Sequence, residues 1–117
     1  MKSITFITNE NPLLEDISKL SQQKPEQYVG YIYLWRCIPE NTFYCGSHKG
    51  TITDGYDGSG SLFKQVFRHY GATQFERVIL EYVQDIKKLK YVEQKWIDKF
   101  NAIKSNKFYN KKNAVAI

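Results

Sequence analysis

A run of β-branched and aromatic residues constrains this chain more than any other feature of its sequence. The run occupies residues 28–38, breaks at Pro39-Glu40-Asn41 and resumes at residues 42–45. Residues of these two kinds favour strands, and Pro and Asn at the break favour a reversal of the chain. The sequence therefore predicts a β-hairpin.

The first strand of this hairpin is predicted to have an aromatic face and an aliphatic face, because side chains alternate along a strand. Tyr31, Tyr33 and Trp35 share the first face. Ile32 and Leu34 share the second. Pairing of aromatic side chains across strands explains such tyrosines without any chemistry, so the pattern alone leaves their role open.

The rest of the chain completes a small mixed fold. Residues 49–60 hold four glycines and predict an irregular loop. Apolar residues with helical spacing follow at 62–70, a third strand is predicted at 75–83, and a second helix is predicted from Asp85 to about Phe100. This order predicts an α+β domain with a small antiparallel three-stranded sheet flanked by helices.

The length of 117 residues suits one domain with one modest core. We expect an N-terminal extension at residues 1–27 and the folded domain at 28–117. No run approaches the roughly 18–20 apolar residues of a membrane span, and polar residues interrupt the start before a signal peptide could form. The two cysteines are too few for a disulfide-stabilised secreted domain. We therefore expect a cytoplasmic protein that does not bind membranes.

The positive charge of the chain is concentrated near its C-terminus. The formal net charge is +5, and residues 85–117 hold nine lysines against three acids. Such a concentration favours a polyanionic partner through the release of counterions. A solvated, lysine-rich helix face is the alternative interpretation.

One residue breaks the apolar stripe of the last helix. Helical spacing places Ile86, Leu89, Trp96 and Phe100 on one face, together with position 93, which is Glu. A carboxylate in such a place loses hydration unless a charged or hydrogen-bonding group meets it. Glu93 therefore has either a partner or a function.

Two hypotheses account for Glu93. The first is a salt bridge to a basic residue such as Arg36, Arg68 or Arg77. The second is a role as a hard oxygen ligand for a divalent cation that also binds phosphate.

The spacing of several residues resembles the GIY-YIG nuclease superfamily, and in particular its phage and homing-endonuclease-like members. Tyr31-Ile32-Tyr33 is followed eleven residues later by Tyr44-Cys45-Gly46, which is similar to the two tripeptides that name the superfamily. A helix with Glu93 three residues before Trp96, and a terminal Tyr109-Asn110, occur in the same order.

The resemblance implies a DNA endonuclease that hydrolyses phosphodiester bonds with one divalent ion, Mg²⁺ or Mn²⁺. It implies that Tyr33 and Tyr44 are the motif tyrosines and that Glu93 is the metal ligand. Asn110 would tether the C-terminal segment near the site.

The chain departs from the superfamily pattern where an arginine usually follows the second tripeptide, because the glycine-rich loop occupies that stretch. We assign the cationic role to Arg68 or Lys64. His48 is expected to assist Tyr33 in taking a proton from the attacking water, since His has an ordinary pKa of about 6.5 and Tyr one of about 10. Contacts to the DNA backbone are expected from Lys49, Lys64, Arg68 and Lys95.

Two interpretations from other classes stay open. The domain could bind nucleic acid without cleaving it, or it could bind a protein partner. Since 117 residues leave no room for a separate DNA-recognition domain, we expect a homodimer or a separate DNA-reading partner.

Overall fold

The computed structural model describes residues 22–56, 58 and 60–115. The strands of its sheet are β1 (Gly30–Cys37), β2 (Thr42–Lys49) and β3 (Phe75–Val83). Both pairings are antiparallel and the strand order is β2-β1-β3, so β1 is central. The predicted α+β class and the hairpin are confirmed.

The described residues contain two α-helices, α1 (Ser61–Tyr70) and α2 (Leu89–Phe100). Gly71 ends α1 with φ of 87°, a conformation that glycine adopts without steric cost. α2 begins later than predicted, because residues 86–88 form a separate 3₁₀ turn. The Asp85 side chain accepts a hydrogen bond from the Lys87 N–H and so starts this turn.

Two expectations from the sequence need correction: the end of β2 and the burial of Ile86. β2 continues to Lys49, four residues beyond the predicted end at Cys45, because its pairing with β1 continues to Gly30. Ile86 is 41% exposed, since it lies in the 3₁₀ turn rather than on the apolar face of α2.

The two faces of the sheet carry different cores, as the alternation in β1 predicted. One face packs aliphatic residues of the sheet against α2; from β1 these are Ile32 and Leu34. The other packs aromatic residues against α1; from β1 these are Tyr31, Tyr33 and Trp35. Burial on both faces makes β1 the rigid centre on which the neighbouring strands are placed.

Part of the predicted N-terminal extension contacts the sheet. The Gln22 N–H donates to Ile79 O at 2.8 Å, and Gln22 Oε1 accepts from the Tyr82 N–H at 2.6 Å. This segment therefore lies on the outer edge of β3. Residues 1–21 of the predicted extension lie outside the described residues, and the boundary at residue 28 stays a prediction.

Cys37 and Cys45 are buried free thiols. Among the described residues, neither helix combines the length and the apolar character that crossing a bilayer requires.

Glu40, in the turn between β1 and β2, joins three parts of the fold. Its carboxylate accepts hydrogen bonds from the hydroxyls of Tyr70, at the end of α1, and Tyr109, in the C-terminal segment, at 2.5 and 2.8 Å. These two bonds lower the pKa of Glu40. The hairpin turn is thereby fastened to both segments that flank the sheet.

Glu40→Gln is expected to lower the free energy of unfolding by about 1 kcal/mol near neutral pH, the range for an exposed charged hydrogen bond. Because the folded-state pKa is lowered, this contribution is present above the ordinary carboxyl pKa and is lost as the pH falls through the folded-state value. Urea unfolding from about pH 7 to about pH 2 measures the difference. Glu26→Gln, at another exposed site, is the control. A difference that persists unchanged in acid would contradict this role.

Candidate active site at the edge of the sheet

The C-terminal segment, here residues 107–110, covers the first half of the free edge of β2. The Phe43 N–H donates to Lys107 O, and the Tyr109 N–H donates to Phe43 O, each at 2.7 Å. Asn110 continues the pairing with its side chain: Oδ1 accepts from the Cys45 N–H at 2.9 Å, and Nδ2 donates to Cys45 O at 2.7 Å. The buried amide of Asn110 thus holds the segment against β2, one residue before Gly46.

Tyr33 reaches this edge because its partner in β2 has no side chain. Tyr33 lies opposite Gly46 in the β1–β2 register, and a Cβ at Gly46 would lie 2.6 Å from Tyr33 Cζ. The β1–β3 register shifts between Ile32 and Tyr33, a bulge of the kind that redirects a side chain. The fully buried phenol therefore crosses over the backbone of the edge strand.

Tyr44 lies on the same face of the sheet as Tyr33, with 6.2 Å between the ring centroids. Its ring stacks on Phe63 of α1 at 4.9 Å. Gly60 lies close to the same ring, since a Cβ at this position would be 2.9 Å from Tyr44 Oη. The ring of Tyr44 is therefore packed against both α1 and Gly60.

Glu93 approaches from the opposite face of the sheet, on α2, and is 8% exposed. Its Oε1 accepts hydrogen bonds from Ser47 Oγ and, at 3.2 Å, from Lys90 Nζ. Lys90 Nζ also donates to Ser47 Oγ at 3.2 Å. Within the described part of the chain, Glu93 Oε2 has no hydrogen-bond partner.

The salt-bridge hypothesis for Glu93 named the wrong partners. The cation beside it is Lys90, three residues earlier on the same helix, rather than Arg36, Arg68 or Arg77. Residues three apart on a helix are neighbours on its surface, so this pairing needs no contact from the sheet.

A cleft of about 270 Å³ connects Glu93 with Tyr44. Lys90, Tyr109, Asn110, Lys111 and Lys112 are among its other lining residues. Glu93 is the single acid among the described residues that line it. No three His, Cys, Asp or Glu side chains of the described residues form a cluster that could hold a metal ion. The cleft therefore combines one buried carboxylate with three lysines.

The charge of Glu93 acts on both sides of β2. Burial raises the pKa of Tyr33, and the hydrogen bond with Tyr56 and the nearby Glu93 carboxylate raise it further. Burial, followed by Glu93, also raises the pKa of Cys45 on the other face. Both groups are therefore protonated at neutral pH.

His48 lies beside this centre, in contact with two residues that the sequence did not single out as functional. Its Nε2 is 2.6 Å from Asp54 Oδ2, and its ring stacks on Tyr56 at 3.8 Å. The Tyr56 hydroxyl is 3.5 Å from the Tyr33 hydroxyl. His48 is therefore connected to Tyr33 by way of Tyr56. The hydrogen bond from His48 lowers the pKa of Asp54.

Lys64 and Arg68, the predicted replacements for the missing arginine, do not line the Glu93 cleft. Both are exposed on α1 and border a second cavity of about 430 Å³ with Tyr56 and Phe67. Lys49, at the end of β2, is exposed as well. None of these three basic residues lines the Glu93 cleft, and their roles in binding DNA stay predictions.

Lys95 lies on the other side of α2 from the cleft. Its Nζ donates to Glu81 Oε1 at 2.7 Å, and Trp96 Nε1 donates to the same oxygen at 2.9 Å. Glu81 belongs to β3, whereas Ser47, the partner of Glu93, belongs to β2. The ion pair with Glu81 therefore accounts for the position of Lys95, and no contact with DNA is needed to explain it.

Sequence reasoning missed Ser47, Tyr56 and Lys90 as neighbours of the predicted site. Lys90 carried a usable signal, because a lysine three residues from a buried glutamate on one helix is an expected pair. Ser47 carried none, since its contact depends on how α2 lies across the sheet.

Comparison with known proteins gives one family. The model described as the GIY-YIG catalytic domain matches residues 29–110. Enterobacteria phage T4 endonuclease segA is 30% identical over 79 residues, which are 67% of this chain and 35% of segA. SegC of the same phage is 32% identical over 91 residues, which are 75% of this chain and 46% of segC. The chain thus spans less than half the length of these curated relatives. No solved structure matches it significantly.

Gly46→Ala is expected to lower the free energy of unfolding by about 1–3 kcal/mol, because the new methyl group would overlap the Tyr33 ring. The same substitution in a Tyr33→Ala background should cost much less, since the ring is then absent. Urea unfolding of the four proteins gives the coupling energy. Equal costs in the two backgrounds would show that Tyr33 does not cross Gly46.

Proposed function

Because this chain belongs to the GIY-YIG family, we propose that it is a DNA endonuclease that depends on a divalent metal ion. The observation that carries the proposal is Glu93, a buried carboxylate whose Oε2 has no protein partner within the described residues and which shares a cleft with Tyr44 and three lysines. The name of the relative segA, an endonuclease, supports it.

The residues of the cleft fit Mg²⁺ or Mn²⁺. A carboxylate oxygen is a hard ligand, and Mg²⁺ in proteins commonly keeps several waters and takes one or two carboxylates. Glu93 Oε2 would hold the ion. Such an ion neutralises charge on a phosphate and lowers the pKa of bound water.

The two motif tyrosines act as hydrogen-bond donors in this proposal. Since burial raises the pKa of Tyr33, its hydroxyl keeps its proton at neutral pH and would donate to a water or phosphate that reaches it. Tyr44, which lines the cleft beside Glu93, is placed to orient the phosphate.

His48 is the proposed acceptor of the proton that leaves the attacking water. Asp54 holds one ring nitrogen, as in catalytic pairs where a carboxylate fixes the tautomer of a histidine. His48 contacts Tyr56 through stacked ring faces, so a bridging water would have to carry the proton to its other ring nitrogen. In this arrangement His48 acts on the site without lining the cleft.

Lys90 takes the cationic role that the sequence had assigned to Arg68 or Lys64. Its Nζ lies 3.2 Å from Glu93 Oε1 and its side chain is 61% exposed, so it is beside the carboxylate yet open to a substrate. A lysine there would neutralise charge that develops on the phosphate, as a point charge rather than a forked donor.

The same ion pair favours a second candidate function, a nucleic-acid-binding module without catalysis. Lys90 and Ser47 already satisfy Glu93 Oε1, which is a stable arrangement for a carboxylate with no ion. Under either function, a second copy or a separate DNA-reading partner stays a proposal.

Glu93→Gln is expected to reduce nicking of supercoiled plasmid in Mg²⁺ at least about 100-fold, because a neutral amide is a poor ligand for the ion. The variant should still retard DNA on a gel, since the lysines of the cleft remain. Nicking at the wild-type rate would exclude Glu93 as the metal ligand. Retardation by the wild-type protein with no nicking would favour the binding module.

Lys90→Ala is expected to reduce the rate of cleavage about 100-fold, the effect of removing one electrostatic stabiliser from an active site. Lys95→Ala is the matched control, because Lys95 is on the same helix and pairs with another glutamate on the far side. The control should keep its cleavage rate and lose at most about 1 kcal/mol of stability. Equal losses of activity in the two variants would contradict the assignment of Lys90.

A further inference from the structure

Residues 110–115, which we call the C-terminal strap, form one wall of the Glu93 cleft. Five consecutive residues of this segment, Asn110 to Ala114, line it. Nothing in the proposed reaction requires this segment to have a fixed position, yet side-chain amides hold it at both ends.

Asn110 holds the first end. Its amide makes two hydrogen bonds with the backbone of Cys45 and is 5% exposed. Both partners belong to the edge strand of the sheet, so this end of the strap is attached to β2.

Gln94 holds the other end, from α2. Its Oε1 accepts hydrogen bonds from the backbone N–H groups of Ala114 at 2.7 Å and Val115 at 3.1 Å. Its Nε2 donates to the side-chain oxygens of Asn113 at 2.8 Å and Asp98 at 2.9 Å. These four bonds use both acceptor sites and both donors of the amide. Gln94 directly follows Glu93, so the strap is tied to the helix that carries the carboxylate.

Lys111 and Lys112 lie between the two ties and are exposed. Neither has an ion pair or hydrogen bond from its side chain to any residue that the structure describes. The single acid of the cleft, Glu93, is already paired with Lys90. The strap therefore holds two uncompensated positive charges at the mouth of the cleft.

We propose that the C-terminal strap binds the sugar–phosphate backbone of DNA next to the bond that is cut, through Lys111 and Lys112, and that Gln94 is its positioning residue. The choice of DNA as the occupant rests on the proposed function. A fixed strap loses less conformational entropy on binding than a free tail with the same charge would lose. Of the nine C-terminal lysines, Lys90 and these two line the cleft, so the strap differs from a general basic surface.

The first test measures the affinity of a short DNA duplex by fluorescence anisotropy in EDTA, where no metal-dependent cleavage occurs, over a range of salt concentrations. Lys111→Gln/Lys112→Gln is compared with Lys99→Gln/Lys104→Gln, which removes two exposed lysines that do not line the cleft. The strap variant should raise the Kd about 10-fold or more and reduce the salt slope by up to about 2, near 0.9 per lost phosphate contact.

The matched control should change the Kd and the slope much less. Equal effects of the two double variants would overturn the strap and leave a diffuse basic surface. If the two double variants have equal effects and the protein still nicks plasmid, the strap proposal is refuted and the proposed nuclease function is not. A strap-dependent Kd in a protein that does not nick would refute the nuclease, and of the strap proposal it would keep only the contact with the DNA backbone. No binding of DNA by the wild-type protein would overturn both.

The second test isolates Gln94. Gln94→Met keeps the size and the neutral charge of the side chain but removes all four hydrogen bonds. We expect this variant to raise the Kd about 3-fold. In the Lys111→Gln/Lys112→Gln background it should have no further effect, because the lysines that it positions are absent. The same increase in both backgrounds would show a general structural role and would contradict the positioning role. Thermal unfolding of each variant confirms that the compared proteins are folded.

Discussion

The candidate site depends on one steric constraint: the edge strand of the sheet carries glycine where a buried phenol crosses it. Tyr33 comes from the aromatic face and Glu93 from the face covered by α2, and a sheet normally separates such groups. At Gly46 no side chain blocks the way around the strand. The phenol and the carboxylate therefore influence each other electrostatically although they belong to different cores.

The balance between the charge of Glu93 and the charges of the lysines around it determines what this site can bind. A lone buried carboxylate among three lysines is a poor cage for a cation by itself, yet it suits a cation that arrives with water and a phosphate. Lys90 and Ser47 satisfy one oxygen of Glu93, which offsets its loss of hydration and leaves the other oxygen for a ligand. The strap adds positive charge that has no counterion among the residues that the structure describes.

The sequence was sufficient for the features set by local pattern. Alternation in β1 predicted the two faces, β3 occupies the predicted residues, and helical spacing placed Glu93 on the buried face of α2. The sequence was insufficient to predict contacts that depend on how the helices and strands pack together. Arg68 and Lys64 were predicted near Glu93, but α1 and α2 lie on opposite faces of the sheet. The ties made by Gln94 had no signal, because they join α2 to an irregular segment.

The most direct test of the account is the position of a bound metal ion. Crystals of the protein soaked in Mn²⁺ would show anomalous scattering from the ion. The account predicts a peak within about 2–2.3 Å of Glu93 Oε2, on the side of the cleft that Tyr44 lines. A peak elsewhere, with Lys90 and Ser47 still bound to Glu93 and no ion beside it, would contradict it.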